Sequence, residues 1–384
     1  MLKRNIIHTI FALVFLGTLF IPFRGLAGEP AIYKIGANYP VTGPTAAYQT
    51  WTTNGILCAI EQINEKGETK IELILEDNGG ETAKGVNAFN KLVRMDKVPC
   101  VLTGVSTIIM GTAPIANRNQ VVILNTTAVS PEISKAGPYV FSVLPNLTGE
   151  IKALARYVKG NMPQVKTLAT FVTNDVFGLG ARDAVNSEFG GLGITIVGGE
   201  FMEYQATSFK SQLAKLKAMN PDAIYMAHYG KEGIVMAFKQ AKELAINTQW
   251  LGFQGMTAPG VWEESNGGNE GTVFTQPPFD AESNNPITQE LAARYKKKTG
   301  NVPDTYSAIA YDAVFIFKQA VDYINNRKLP MTGENIRTAL LGIRKFNTST
   351  GPLIFKDDGT CTKLVAIRKV VKGKLETIVI LPPE

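Results

Sequence analysis

Short apolar runs and amphipathic stretches alternate along the first part of the chain, with a period of about thirty residues. Apolar runs at 31–37, 70–77, 100–104 and 121–124 are each followed by a stretch of helical character. Ile56, Ala59, Ile60 and Ile63 show the helical spacing, and Gly67 follows them as a helix C-cap. Repeated strand–helix units of this kind predict a parallel sheet with helices on both faces.

The same pattern begins again after a strand at 139–145. Further strands are predicted at 166–174, 194–201, 222–228 and 248–253, with helices between them. The chain therefore contains two similar halves, each an α/β sandwich. A third part, 277–384, returns with helices at about 286–298, 304–326 and 332–342 and ends in strands "GPLIF" (351–355) and "KLVAIRKVV" (363–371).

The N-terminal segment has the features of a targeting sequence. Lys3 and Arg4 precede an apolar run, Ile6–Phe23, and small residues follow at Gly25 and Ala27. We predict a secretory signal peptide over residues 1–27, cleaved after Ala27. Because the apolar run approaches the length of a membrane span, an N-terminal membrane anchor is the alternative.

Composition excludes several classes of protein. A chain of 384 residues is longer than one hydrophobic core usually needs, which favours two domains. Part of the net charge of +6 lies in the predicted signal peptide, and no basic run alternates with aromatic residues, so we expect no nucleic-acid partner. The two histidines are His8 and His228, so a His-dependent enzyme would rely on His228 and a multi-histidine metal site is excluded.

The three cysteines, Cys58, Cys100 and Cys361, lack the spacing of a metal site. In an oxidising compartment, Cys58 and Cys100 could form a disulfide, which is one interpretation. Both residues also stand in apolar surroundings, where buried free thiols are common.

Hydroxyl-bearing residues follow two neighbouring predicted strands. The run "VVILNTTAVS" (121–130) passes from a buried strand into a polar loop, and "GVSTIIM" (104–110) places Ser106 and Thr107 where a helix begins. Ligands of open α/β sheets bind at the carboxyl ends of strands, and helix N-termini with adjacent hydroxyls suit an anion. We expect a carboxylate here. The alternative is that these residues only cap turns and helices.

Nucleotide binding is poorly supported. The stretch "GLGARDAV" (178–185) begins like a dinucleotide fingerprint, but Asp183 stands where that motif needs Gly or Ala. No phosphate-binding G-x-x-x-x-G-K-[ST] motif is present.

Several stretches, in order, resemble one family. They are "PVTGPTAAYQTWTTNGILCAIEQIN" (40–64), "NDVFGLGARDAV" (174–185), "DAIYMAHYGKEGIVMAFKQAKELAINTQWLGFQG" (222–255) and "YSAIAYDAV" (306–314). The chain resembles the branched-chain amino acid class of periplasmic ABC-transporter solute-binding proteins, which have the type I periplasmic binding protein fold. The resemblance implies an α/β fold of two similar doubly wound parallel-sheet lobes, joined by three crossovers and closing on a ligand. The lobes would be 28–146 with 277–355, and 147–276 with 356–384.

The resemblance also implies contacts to a ligand carboxylate. Ser106 or Thr107 would contact it, and the residue spacing leaves open which of the two does so. Thr127 would contribute a backbone contact. Val129 stands where leucine-binding members often have a threonine that contacts the ligand, so one hydroxyl is missing here.

The remaining implied contacts are aromatic and polar. Tyr48, Phe177 and Tyr229 would form aromatic walls, or else serve as ordinary core residues. Leucine-binding members place a glutamate in the loop corresponding to "GFQG", where it pairs with the ligand ammonium, and this chain has Gln254. A neutral amide cannot supply that charge. Either another carboxylate reaches the cleft, or the ligand is an aromatic or aliphatic acid or an amide.

We therefore expect a periplasmic, non-enzymatic, monomeric receptor that delivers a small carboxylate-bearing ligand to a membrane ABC permease, without a cofactor or metal. A ligand-sensing input for a membrane chemoreceptor or kinase has the same fold and is the first alternative. A secreted α/β enzyme is the second, and the scarcity of histidine argues against it.

Overall fold

The computed structural model describes residues 31–43, 46–258 and 260–382, except for the side chains of 47–49. The predicted signal peptide, residues 1–27, therefore lies outside the described residues. Within the described ranges, no helix combines the length and the apolar character needed to cross a bilayer.

The first lobe is formed mainly by the N-terminal third of the chain. Its elements are β1 (Ile32–Tyr39), α1 (Ala46–Lys66), β2 (Lys70–Asp77), α2 (Thr82–Arg94), β3 (Cys100–Thr103), α3 (Ser106–Asn119), β4 (Val122–Asn125) and β5 (Val140–Ser142). The five strands form a parallel sheet in the order β2-β1-β3-β4-β5. β3 and β4 are buried throughout, which accounts for their unbroken apolar sequences.

The second lobe repeats this arrangement. Its elements are α4 (Leu147–Asn161), β6 (Thr167–Thr173), α5 (Val176–Gly191), β7 (Thr195–Met202), α6 (Lys210–Met219), β8 (Ala223–Ala227), α7 (Lys231–Glu243), β9 (Gln249–Gly252), α8 (Val261–Glu264) and β10 (Val273–Gln276). Strands β6 to β10 pair in parallel. The apolar stripe of α4, which includes Ile151 and Leu154, is buried against the sheet.

The C-terminal third contributes to both lobes. Its elements are α9 (Pro286–Thr299), α10 (Thr305–Asn326), α11 (Gly333–Ile343), β11 (Lys345–Thr348), β12 (Gly351–Phe355), β13 (Cys361–Thr362), β14 (Val365–Val371) and β15 (Lys374–Leu381). Helices α9 and α10 pack on α1. Strands β11 to β13 form a small antiparallel sheet, and β14 and β15 complete a seven-stranded sheet in the order β15-β14-β10-β9-β8-β6-β7.

The predicted fold class is confirmed, because the chain forms two α/β lobes with parallel-sheet cores. One glycine shows how closely the helices pack. A Cβ atom on Gly55 of α1 would lie 2.2 Å from the carbonyl oxygen of Ser307 in α10, so this helix crossing needs glycine.

A buried polar network lies where the chain passes to the second lobe after β13. The ammonium of Lys363 donates to the hydroxyl of Thr350, and that hydroxyl donates to Asp312 Oδ2 at 3.0 Å. The amide of Ser349 donates to Asp312 Oδ1 at 2.8 Å. Burial lowers the pKa of Lys363 and raises that of Asp312, and their mutual attraction opposes both shifts. The network ties the crossover to α10.

Cys58, Cys100 and Cys361 are buried free thiols, so the disulfide reading is wrong. Burial raises the pKa of Cys58 to about 11 and that of Cys361 to about 12. These thiols serve as small apolar core residues.

Candidate functional site

A cavity lies where strand ends of the two lobes face each other, and it encloses about 660 Å³ of space when the open solvent at its mouth is included. The first lobe lines it with Pro40, Thr52, Val105, Ser106, Thr107, Thr127, Ala128, Val129 and Tyr306, and the second with Asp175, Phe177, Tyr229 and Phe253. Six of the eight predicted contacts therefore lie together. Tyr48 belongs to α1, but its side chain is outside the described residues, and Gln254 is not among the lining residues.

Asn125 shapes the polar loop that follows β4. Its Oδ1 accepts hydrogen bonds from the amides of Thr127, at 3.2 Å, and Ala128, at 2.9 Å. Its Nδ2 donates to the carbonyl of Ala128 at 2.7 Å. The loop is thus an Asx turn, the local role that asparagine often has after a strand. Because the amide of Thr127 is engaged by Asn125, we expect this residue to approach a ligand through its hydroxyl or carbonyl.

The loop after β3 approaches Thr127 very closely. A Cβ atom on Gly104 would lie 1.8 Å from Thr127 Oγ1, so only glycine fits there. The next residue, Val105, has φ of 64° and ψ of 116°, a conformation that is costly for a β-branched residue. Backbone strain of this kind clusters at ligand-binding sites. Val105 directly precedes α3, whose first turn contains Ser106 and Thr107.

Ser106 connects the two loops of the first lobe. Its Oγ accepts a hydrogen bond from the amide of Ser130 at 3.3 Å, which leaves its own proton to be donated. Ser130 Oγ in turn donates to the carbonyl of Val176, in the second lobe, at 3.0 Å. The hydroxyl-rich loops therefore line the cavity and also touch the opposite lobe.

The second lobe contributes an aromatic wall. The ring of Phe177 lies 5.6 Å from that of Tyr229 and 5.1 Å from that of Phe253, measured between centroids. Tyr204 stacks on the outer side of Tyr229 at 4.6 Å. These contacts give the cavity a rigid apolar side opposite the hydroxyls. Phe253 was not predicted as a site residue, although it precedes Gln254 directly in the "GFQG" motif.

Asp175 is the most informative residue that sequence reasoning missed. It caps α5, and its Oδ1 accepts from the amide of Gly178 at 2.9 Å and from the hydroxyl of Thr173 at 3.0 Å. Among the described lining residues it is the one carboxylate, and none of them is Lys, Arg or His. Burial, with a further contribution from Asp175, raises the pKa of Tyr229. The cavity thus has a negative group on the wall opposite the hydroxyls.

Gln254 has an unusual environment. Its side chain is buried in the 3₁₀ turn Gln254–Thr257, and neither amide atom has a hydrogen-bond partner among the described residues. Buried polar groups are nearly always paired, so this amide is a candidate for an external partner. Its role in ligand binding stays a prediction.

Comparison with known proteins was consistent with this geometry. Residues 32–374 match the model of a periplasmic binding protein family. The chain belongs to this family. The match covers both lobes, so the candidate site lies in the interlobe cleft of a periplasmic binding protein.

Among characterised relatives, the Leu/Ile/Val-binding protein BraC3 of Rhizobium johnstonii is 28% identical over 334 residues, covering 85% of this chain and 88% of the relative. The solved leucine binding protein LivK of Thermotoga maritima is 25% identical with a TM-score of 0.83, covering 91% and 99% of the two chains. A Rhodopseudomonas palustris ABC-transporter solute-binding protein, in complex with 3,4-dihydroxybenzoic acid, has a TM-score of 0.81, 21% identity and coverage of 92% and 98%. This last likeness shows the fold alone.

Proposed function

We propose that this protein binds an apolar α-amino acid of the leucine type in the interlobe cavity and delivers it to an ABC permease. The observation that carries the proposal is the polarity of the cavity. The first lobe lines the cavity with hydroxyls, and the second lines it with a carboxylate, Asp175, and with aromatic rings. A zwitterion with an apolar side chain matches all three parts.

The charges in the cavity favour a zwitterion over a simple acid. The carboxylate of the ligand would accept hydrogen bonds from Ser106 and Thr107 at the start of α3. The ligand ammonium would pair with Asp175, which replaces the acid missing at Gln254. A ligand without an ammonium would add a second negative charge to a cavity whose described lining has no cationic side chain.

A hydroxylated aromatic acid is the second candidate. Its ring would stack in the wall formed by Phe177, Tyr229 and Phe253, and its hydroxyl would donate to Asp175. The relative bound to 3,4-dihydroxybenzoic acid supports this candidate only through a shared fold.

A matched pair of ligands and a matched variant test the proposal. Leucine and 4-methylpentanoate share one carbon skeleton and differ in the ammonium. Asp175→Asn removes the charge but keeps an oxygen that caps α5. We expect wild-type protein to bind leucine more tightly than 4-methylpentanoate in calorimetric titrations. In the variant, leucine should lose at least tenfold in affinity, the effect of about 1.5–3 kcal/mol for a hydrogen bond to a charged group.

The variant should bind 4-methylpentanoate as well as the wild type does, or better. Equal losses for both ligands would show that Asp175 supports the fold rather than the ammonium. Preference for 4-hydroxybenzoate over leucine in the wild type would favour the second candidate. Recovery of leucine chemically unchanged after long incubation is expected, since we propose binding without turnover.

Delivery to a permease is proposed from membership of the periplasmic binding protein family. We expect cells that lack this protein to lose uptake of labelled leucine. The wild-type protein should restore uptake, and a variant with Ser106→Ala and Thr107→Ala should not. Intact uptake with a lost chemotactic or transcriptional response would instead favour the sensory role.

A further inference from the structure

The two lobes touch beside the cleft, where α5 meets the 3₁₀ turn Pro131–Lys135. That turn lies between β4 and β5 of the first sheet, and α5 lies between β6 and β7 of the second. Ser130 precedes the turn, and its Oγ donates to the carbonyl oxygen of Val176, the first residue of α5, at 3.0 Å. Neither residue is among those that line the cavity, so this contact joins the lobes without touching the ligand space.

The hydroxyl of Ser130 is oriented to donate across this contact. The residue is fully buried, and its Oγ accepts from the amide of Glu132 at 3.4 Å, which leaves the hydroxyl proton for Val176. The amide of Ser130 donates to Ser106 Oγ at 3.3 Å. Ser130 therefore connects the second lobe to a residue that lines the cavity.

Gly180 leaves the Val176 carbonyl open to this donor. It follows Val176 by one helical turn, and a side chain at this position would lie over the preceding turn of α5. A Cβ atom on Gly180 would lie 2.9 Å from Pro131 Cδ and 3.1 Å from Ser130 Oγ, both in the first lobe. The proline ring has little freedom to move aside. A side chain at position 180 would therefore push the lobes apart.

The helix itself does not require glycine at this position. Gly180 lies inside α5 and is not among the glycines with positive φ, so any residue could adopt its backbone conformation. In a helix interior glycine is less favourable than alanine. The close approach of the first lobe is therefore the physical reason for a glycine here.

We infer that Ser130 and Gly180 form a latch between the lobes, which holds the cleft closed and sets ligand affinity although neither residue lines the cavity. This inference rests on the proposed function, because it takes the cleft to close on a ligand. A contact made only in the closed state adds its free energy to the binding equilibrium. Because the latch forms after the ligand has entered, it should act mainly on the dissociation rate constant.

Gly180→Ala separates a role in closure from a role in folding. The thermal midpoint of the ligand-free protein should stay unchanged or rise, because alanine is the better helix former. Leucine binding should weaken, and the dissociation rate constant in stopped-flow measurements should rise by the same factor. Gly190→Ala is the matched control, since it lies in the same helix and its Cβ atom would meet nothing within 4 Å. The control should change neither the affinity nor the rate.

Ser130→Ala removes the donor of the latch and keeps the backbone amide that donates to Ser106. Leucine affinity should fall by roughly threefold to tenfold, as for the loss of one neutral hydrogen bond. The association rate constant should stay unchanged. Gly180→Ala should weaken binding at least as strongly, because it both displaces the hydroxyl and meets the Pro131 ring.

A disulfide between the two positions tests the contact without a ligand. The double variant Ser130→Cys, Gly180→Cys places its sulfurs across the interface, where the missing Cβ of Gly180 lies 3.1 Å from Ser130 Oγ. Mild oxidation of the full chain should form a disulfide, identified by mass spectrometry of its peptides. Ser130→Cys with Gly190→Cys should not cross-link, because position 190 lies about 15 Å further along α5. The three native thiols are buried and do not compete.

The latch is overturned if Gly180→Ala binds leucine as tightly as the wild type, or if it lowers the thermal midpoint of the ligand-free protein along with the affinity. It is also overturned if the disulfide does not form, or if the control pair cross-links equally well. Failure of the wild-type protein to bind leucine would contradict the proposed function, and the disulfide experiment would still decide whether the lobes meet at the latch.

Discussion

Glu150 provides the sharpest prediction about stability, because it is a fully buried carboxyl with few partners. It lies in the first turn of α4, and its Oε2 accepts from the hydroxyl of Thr275 at 3.0 Å. Its Oε1 has no hydrogen-bond partner among the described residues. Burial raises the pKa of Glu150 to about 8 from an ordinary value of 4.5, and the Thr275 hydrogen bond opposes the shift.

The sign of the effect follows from proton linkage. Below pH 4.5 the carboxyl is protonated in both the folded and the unfolded chain, so it contributes no pH dependence. Between pH 4.5 and about 8 the unfolded chain releases the proton and the folded chain retains it, so stability falls as the pH rises. At roughly 1.4 kcal/mol per pH unit, the loss at pH 7 is about 3 kcal/mol, and it levels off above the folded pKa.

Glu150→Gln should remove this penalty while keeping the shape of the side chain and an acceptor for Thr275. We expect the free energy of unfolding, measured by urea denaturation, to exceed that of the wild type by about 3 kcal/mol at pH 7. The two proteins should have nearly equal stability at pH 4. Glu68→Gln, at an exposed position, is the matched control and should change little at either pH. A difference of the same size at pH 4 and pH 7, or a less stable variant, would refute the reasoning.

Three further predictions concern binding and the crossover. Replacing both Ser106 and Thr107 by alanine should weaken leucine binding at least tenfold in calorimetric titrations. The thermal midpoint should fall modestly, because the amide of Ser130 loses its acceptor, and unchanged affinity in the folded variant would place the carboxylate elsewhere. Gln254→Met should raise the free energy of unfolding by about 1–3 kcal/mol, since an unpaired buried amide is removed. If that amide contacts the ligand, the same change should also weaken leucine binding, and unchanged affinity would show that it makes no such contact. Lys363→Met should lower the free energy of unfolding by about 3–5 kcal/mol, because Asp312 loses its counter-charge. The double variant Lys363→Met, Asp312→Asn should recover part of that loss. No recovery would show that the two charges are not coupled.

The parallel cores of both lobes could be predicted from the sequence because their central strands are buried on both faces. Apolar runs such as that of β4 and stripes such as that of α4 carry strong periodic signals. Strands β10 and β11 were not predicted, and neither was β15. They are short or half exposed, so the apolar signal is weak. The antiparallel pairing of β14 with β10 depends on a contact between distant segments.

The candidate site could be predicted in part for a similar reason. Ser106, Thr107 and Thr127 follow strands directly, and parallel strands place their ends at one edge of a sheet. Asp175 could not be recognised in this way, because an aspartate before a helix is fully explained as an N-cap. Its second role depends on the opposite lobe, since the cavity forms only where loops from both lobes meet.

The same hydroxyl loop connects ligand recognition to the contact between the lobes. Asn125 holds the loop in shape, Ser106 accepts from the amide of Ser130, and Ser130 donates to Val176 of the other lobe. A ligand held by Ser106 therefore lies one hydrogen bond away from an interlobe contact. A ligand shifts a conformational equilibrium only through the difference in its affinity for the two states. In the present conformation Val176, the neighbour of Asp175, lies against Ser130. We therefore expect a ligand that contacts both Ser106 and Asp175 to stabilise this arrangement of the lobes over a more open one, so that closure and recognition of the second half of the ligand would be one event.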